Sequence, residues 1–337
     1  MKGLVLRGSR NVFTVLAEED AAPDLLRGKS PDKMPVLECR LKGKVLKGAE
    51  SYYNPLAPGD RVTMEEDPLC PGTAQITAVE DRSTILTRFN QKGQKSQILA
   101  ANIDLLFCVT SPASPPFRPR FLDRLLVQAE AAGIPPVILC NKSDLLESAE
   151  AETGTEERFA DYERIGYRVL RLSAKTGQGL DQLRSLMAGK SSALLGQSGV
   201  GKSSLINALD TSLAMRTGTM NEKYDRGNHT TTLSVMLELP GLGAVDPAAV
   251  NPPVHSARTY VIDTPGIRRM VPDGVKPEEL IYYMKEFAEL AGRCTYGHSC
   301  SHRTEQGCKI LEAAAAGLIH KDRYESFLRI GDELAGL

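Results

Sequence analysis

Up to about Gln97, apolar and polar positions alternate in short runs. "GLVLRG", "NVFTVLAE", "VLECRLKGKVL", "GDRVTME" and "AQITAVEDR" carry apolar side chains at alternate positions, the period of a half-buried strand. Turn-forming residues separate the runs, and "NPLAPGD" supplies Pro and Gly just ahead of one of them. Short strands at close spacing predict a small all-β barrel over residues 1–97.

The pattern changes at Asn102. "IDLLFCVTS" is continuously apolar, as in a strand covered on both faces of a parallel sheet. In "FRPRFLDRLLVQAEAAG", Phe121, Leu122, Leu125 and Leu126 recur at helical spacing, and Gly133 marks the stop. "PPVILC", "YRVLRLSA", "SSALLG" and "TYVIDTPG" read as strands, and "GLDQLRSLM" and "KSSLINAL" as helices. That alternation predicts an α/β domain with a mostly parallel sheet over residues 98–271. Residues 240–258 are rich in Pro, Gly and Ala and read as a long loop. From Pro272 on, "PEELIYYMKEFAELAG" and "CKILEAAAAGLIHKDRYESFLRIGDEL" carry helical patterns around a Cys/His cluster, predicting a helical third domain over 272–337.

Composition narrows the partners. The chain has 337 residues, a formal charge of −1, no Trp and 5% aromatics, so neither wholesale phosphate-backbone binding nor an aromatic nucleic-acid platform is supported. Arg40, Lys42, Lys44 and Lys47, and then Arg88, Lys92 and Lys95, form local basic clusters. No apolar run reaches the roughly 18 residues of a membrane span. The N-terminus turns acidic early and lacks the apolar block of a secretion signal. A cytoplasmic monomer is expected, or one in an organelle stroma if a transit peptide has been removed. The seven cysteines are therefore not expected to form disulfides, and Cys108 and Cys140, inside apolar runs, read as small buried hydrophobes.

Gly196, Gln197, Ser198, Gly199, Val200, Gly201, Lys202 and Ser203 fit G-x-x-x-x-G-K-[ST] between an apolar strand and a helix that continues through Ser204. The glycines let backbone N–H groups turn inward around a phosphate, at the positive end of the helix. Lys202 reaches the β- and γ-phosphates, and the Ser203 hydroxyl is a ligand for Mg²⁺.

Asn141-Lys142-Ser143-Asp144 fits N-K-x-D at the end of a strand. A carboxylate there accepts two hydrogen bonds from guanine N1–H and its 2-amino group, a donor pair that adenine lacks. Lys142 packs its stem over the base. Ser173, Ala174 and Lys175 form the companion loop, which backs the guanine with an N–H. In "DTPG", Asp263 is expected to hold Mg²⁺ and the Gly266 N–H to sense the γ-phosphate. "GNHTTT" lies between, with Thr231 the expected additional Mg²⁺ ligand and Thr230 and Thr232 close rivals. Ile267 stands where many GTPases keep a water-orienting Gln; His229 is the nearest candidate for that task. The motifs run base loop, companion loop, phosphate loop, threonine switch, DTPG, an order that cutting and rejoining an ordinary GTPase sheet produces.

Cys294-x5-Cys300-x-His302-x5-Cys308 supplies three thiolates and an imidazole, a closed tetrahedral shell for one structural Zn²⁺. His298 is an alternative to His302.

On these residues the chain resembles the RsgA (YjeQ) family of circularly permuted GTPases. The resemblance rests on "LTRFNQKGQKSQILAANID", "CNKSDLL", "GQSGVGKSSLINAL", "GNHTTT", "IDTPG" and "CSHRTEQGC". It implies a multidomain chain: an N-terminal OB-type barrel, a permuted P-loop GTPase domain and a C-terminal zinc-binding domain. It implies binding of GTP and GDP, and hydrolysis stimulated by the small ribosomal subunit. It also implies contact with that subunit's rRNA, a role in its late maturation, and zinc on Cys294, Cys300, His302 and Cys308. The chain departs from the family in having five residues rather than four between the first two cysteines. It also has Asn228 where the family usually has Arg, and a longer 240–258 stretch. A GTP-dependent RNA-binding scaffold with little intrinsic catalysis is the alternative, and the intact Lys202, Ser203, Asp263 and threonine run argue against it. A metabolic P-loop kinase is a third reading, which the guanine motif disfavours.

Overall fold

The computed structural model describes residues 1–9, 11–18, 36–42, 52–67, 70, 72–90, 93–213, 234–240, 242, 258–267 and 269–336. They form two compact units. The first takes in Met1–Leu105, Leu183–Leu194 and Ile206–Pro265, and the second Leu106–Gln182, Leu195–Leu205 and Gly266–Leu337.

In the first unit, β1 (Lys2–Ser9), β2 (Val12–Ala17), β3 (Val36–Leu41), β4 (Arg61–Glu66) and β5 (Thr73–Val79) close into a barrel in the order β1-β2-β3-β5-β4. The β3–β5 pair is parallel and the remaining pairs are antiparallel. This is the small all-β barrel expected from the alternation, with the five strands of the OB type that the resemblance implies. The period is visible in β3, where Leu37 and Cys39 face inward and Val36, Glu38 and Arg40 face out. Gly59 makes the turn ahead of β4. Its φ is +93°, and a Cβ there would stand 2.0 Å from the Ala101 carbonyl oxygen. Asp60 beside it is fully buried and accepts hydrogen bonds from Arg82 at 2.6 and 2.8 Å and from the Ala57 N–H at 2.8 Å.

A hairpin comes next, β6 (Ile85–Asn90) against β7 (Lys95–Ala101), as a separate two-stranded sheet. The same unit holds β11 (Ser191–Gly196) through Leu194, parallel to β13 (Tyr260–Asp263), which pairs antiparallel with β12 (Val235–Glu238). The alternation in the sequence does not single out the hairpin or β12.

In the second unit, β8 (Leu105–Thr110), β9 (Pro136–Cys140) and β10 (Arg168–Arg171) run parallel. All of β8 is buried, which is why it reads as one apolar run. Cys108 and Cys140 are fully buried, and burial pushes the Cys140 thiol up to about 12, so both behave as the expected hydrophobes. The helices expected from the pattern are α1 (Pro119–Ala131), α4 (Leu180–Met187) and α5 (Lys202–Leu209); α2 (Leu146–Thr153) and α3 (Thr155–Arg164) had no sequence expectation.

The C-terminal part is helical as expected, but in shorter pieces than its two patterned stretches. Pro277–Tyr283 is a 3-10 helix and α6 (Lys285–Ala288) a single turn. Between them Met284 is extended (φ −123°, ψ 106°) and wholly buried, so core packing overrides helical continuity. The second stretch splits into α7 (Lys309–Ala315) and α8 (Lys321–Ala335). Gly317, with φ +73°, ends α7, and the His320 ring nitrogen caps α8 by accepting from the Asp322 N–H. Met284, Phe287, Ile310, Ile319 and Ile330 form this core together with Val127 of α1.

A buried polar hub locks α8 to α1 and α3. Asp123 accepts from Arg323 at 2.7 Å, Tyr162 at 2.6 Å and Ser326 at 2.5 Å, and Arg323 also donates to Glu286 at 2.6 and 2.9 Å. Among the described residues no helix is long and apolar enough to cross a membrane.

Candidate active site

The phosphate loop begins where β11 ends. Gly196 lies against β8, and a Cβ on it would stand 2.3 Å from the Val109 carbonyl oxygen. Gly199 and Gly201 adopt φ of +85° and +93°, the left-handed region that favours glycine. Val200 is buried and anchors the loop, and Lys202 opens α5 with Ser203 and Ser204 exposed in its first turn. The Lys202 ammonium donates to the carbonyls of Gly196 at 3.0 Å and Gln197 at 3.2 Å. The charge is thus folded back over the mouth of the loop.

Asn141, just past the end of β9, joins the loops. Its amide donates to the Val200 carbonyl at 2.8 Å, and its Oδ1 accepts from the Ala174 N–H at 3.0 Å. One buried side chain therefore ties the base loop to both the phosphate loop and the companion loop. Lys142, at φ +62°, donates to the carbonyls of Gly199 (2.9 Å) and Ser114. Asp144 is exposed, and its Oδ1 accepts from the Ser173 hydroxyl at 2.7 Å. That bond orients the carboxylate while leaving it open to a base. Lys175 is exposed.

In the first unit, Asp263 closes β13 in register with Leu194, and the buried Thr264 hydroxyl donates to the Leu194 carbonyl at 2.6 Å. In the second, Gly266 passes so close to the phosphate loop that a Cβ would stand 2.6 Å from Ser198 Cα. The Ile267 N–H donates to the Gly196 carbonyl at 3.1 Å, and the Ile267 side chain is 2% exposed. It packs into the core and presents nothing polar to a water. His229, Asn228 and Thr230–Thr232 lie outside the described residues, as does nearly all of 240–258.

Cys294, Cys300, His302 and Cys308 are brought together, with one ligand atom from each within 4.8 Å of the others and all four residues buried. Cys294 Sγ is 3.9 Å from Cys308 Sγ and 3.6 Å from His302 Nδ1, which is 3.4 Å from Cys308 Sγ. Tetrahedral zinc at its usual thiolate bond length puts donors about 3.5–3.8 Å apart, so the spacing and donor set fit the ion. His298 is turned away, its Nδ1 3.4 Å from the Tyr282 hydroxyl.

Sequence reasoning missed the groups that support this cluster. Cys308 caps α7, where its sulfur accepts from the Leu311 N–H at 3.5 Å, and the Lys309 N–H donates to Cys294 Sγ at 3.3 Å. Both bonds favour thiolates. Glu305 accepts from the N–H groups of Ser301, Arg303 and Thr304 at 2.7, 2.9 and 3.1 Å, which shapes the loop that carries His302. These bonds to the ionised form hold its carboxyl far below the usual range. A Glu inside "SHRTEQGC" was the available signal.

Known proteins share this architecture. A protein from Chlorobaculum tepidum named small ribosomal subunit biogenesis GTPase RsgA is 40% identical over 84% of this chain and 86% of its own length. One of the same name from Borrelia garinii subsp. bavariensis is 36% identical over 98% of this chain and 95% of its own. Among solved structures, YjeQ from Thermotoga maritima superposes with a TM-score of 0.68 at 28% identity, covering 100% of this chain and 99% of its own. YloQ, described as a circularly permuted GTPase, shares the fold with a TM-score of 0.64 at 24% identity, covering 99% and 95%. Residues 79–271 match the RsgA GTPase family. That match and these relatives establish that the chain belongs to the RsgA GTPase family, the P-loop enzymes that hydrolyse GTP.

Proposed function

We propose that this GTPase binds the small ribosomal subunit in the cytoplasm as a monomer and assists its late maturation, hydrolysing GTP to GDP and phosphate with stimulation by the subunit. The observation that carries the guanine-nucleotide site is Asn141, one side chain bonded to both the phosphate loop and the companion loop. The names of the relatives supply the subunit.

In this reading Asp144 takes the guanine edge, held by Ser173, and Ala174 and Lys175 complete the base pocket. Residues 196–204 wrap the phosphates. Lys202 exchanges the carbonyls of Gly196 and Gln197 for phosphate oxygens. Ser203, Thr231 and Asp263 would hold Mg²⁺, which would supply positive charge to the β- and γ-phosphates. Gly266, close to Ser198, reads the γ-phosphate through its N–H. Ile267 is buried, so water placement falls to His229, and unaided hydrolysis is slow. Cys294, Cys300, His302 and Cys308 hold one structural zinc. The barrel (1–97), GTPase (98–271) and zinc (272–337) domains act together, with rRNA contacted through basic clusters.

Hydrolysis measured with and without purified small subunits tests this reading. Stimulation that saturates with subunit supports it, and a flat rate favours the scaffold alternative.

A further inference from the structure

Between Gly196 and Gly201 the phosphate loop carries three side chains, those of Gln197, Ser198 and Val200. Gln197 is 8% exposed and Val200 1%, so both are turned inward. Ser198 is exposed, and its hydroxyl makes no hydrogen bond among the described residues. We propose that Ser198 is a further catalytic residue, whose hydroxyl donates to a γ-phosphoryl oxygen of GTP while the bond to the β-phosphate breaks. The backbone N–H groups of the loop hold the nucleotide, and this side chain acts on the reacting group.

Gly266 locates that hydroxyl. A Cβ on Gly266 would stand 2.6 Å from Ser198 Cα, 2.9 Å from its Cβ and 2.9 Å from its backbone nitrogen. The base of the Ser198 side chain therefore lies against the residue whose N–H is proposed to read the γ-phosphate, and the inference rests on that reading. The described side chains that follow Gly266 offer nothing in its place. Ile267 is apolar and buried, and the Arg269 guanidinium is bonded to Glu333 at 2.5 Å.

The chemistry asks for such a donor. Phosphoryl transfer leaves the protein little covalent work, and a donor fixed where charge develops raises the rate. As water attacks, an O–P bond forms and the bond from phosphorus to the bridging oxygen breaks. The electron pair leaves on the β-phosphate of GDP, and the proton of the water passes to a γ-phosphoryl oxygen. Ser198 keeps its own proton throughout. Its hydrogen bond strengthens as charge spreads over the equatorial oxygens, so it acts on the rate more than on GTP binding. GDP has no γ-phosphoryl group, so the hydroxyl adds nothing to its affinity. Placing the water is a separate task, which Ser198 does not take over.

The test is single-turnover GTP hydrolysis by the full chain without ribosomal subunits, followed over a range of protein concentrations, beside GDP affinity. Ser198→Ala should lower the maximal rate by at least about tenfold, with half-saturation and GDP affinity each held within about twofold. A maximal rate within about twofold of the wild type overturns the proposal. A parallel loss of GDP affinity also overturns it, since Ser198 then only shapes the loop. Ser198→Gly removes the hydroxyl with a smaller residue and should reproduce the slow rate. A Gly variant as fast as the wild type overturns the proposal, because the Ala methyl and not the missing hydroxyl was then at fault. Gly266→Ala separates these failures from failure of the γ-phosphate reading. It should weaken GTP more than GDP; an equal change in both refutes the reading of Gly266, whereas the Ser198 variants decide the hydroxyl.

Discussion

In the proposed function Asp144 meets the guanine edge with a carboxylate whose one oxygen is already fixed by Ser173 at 2.7 Å. Replacing it with Asn turns an acceptor into a donor and sets a mismatch against guanine N1–H. Asp144→Asn should weaken GTP binding on the order of a hundredfold, about 2–3 kcal/mol, and improve xanthosine triphosphate, as a nucleotide competition assay would reveal. A general collapse of affinity for both nucleotides would count against Asp144 as the base reader. Gly201 tests the loop junction. At φ +93°, a Cβ there would stand 2.3 Å from the Asn141 amide nitrogen that holds Val200. Gly201→Ala should cost about 1–3 kcal/mol in thermal unfolding and lower GDP affinity with it. That the base, companion and phosphate loops come together was legible in the sequence, because phosphate and guanine chemistry admit few side chains at fixed spacing. Glu305 and the N–H groups of Lys309 and Leu311 were not, because backbone donors carry no residue signature and Glu305 becomes useful only once its loop folds.

Element periodicity carried the barrel and the buried strands. β3 alternates cleanly and β8 is apolar throughout, and each burial pattern depends on whether one face or both are covered. The C-terminal helices broke where local pattern lost to packing: Met284 turns extended to fill the core, and Gly317 ends a run of alanines that by propensity would continue. The four-residue β12 was too short to show a period. In α3 the apolar spacing is thin, because Arg158 and Tyr162 are buried through polar partners rather than by hydrophobicity. The hub around Arg323 decides how α8 meets α1 and α3. Arg323→Met leaves Asp123 and Glu286 buried without their cation, and should destabilise the protein by about 3–5 kcal/mol in denaturant unfolding. Replacing all three with apolar residues of similar volume should recover most of that loss. A single-variant cost below about 1 kcal/mol would show the hub to be solvated rather than buried.

For the whole molecule, permutation alters the connection beyond Gly266. The chain runs from the phosphate loop's neighbour directly into the C-terminal helices, and Arg269, three residues on, is bonded to Glu333 of α8. Glu333 also takes Arg124 of α1. Burial opposes ionisation of its carboxyl, but the bonds from the two guanidiniums outweigh burial and hold it below the usual range. If Gly266 reads the γ-phosphate as proposed, a change there has a short covalent and ionic route to the helices that frame the cysteine cluster. Cys300→Ser should abolish stimulation by small subunits while GTP binding stays intact, measured as subunit-dependent turnover beside nucleotide affinity. Equal loss of both would mean that the cluster merely maintains the fold.

The most direct measurement is single-turnover GTP hydrolysis by the full chain, titrated with purified small ribosomal subunits. A slow unaided rate that rises by at least about tenfold and saturates with subunit is the expected result, given the buried Ile267. A rate that small subunits leave unchanged would contradict the assignment.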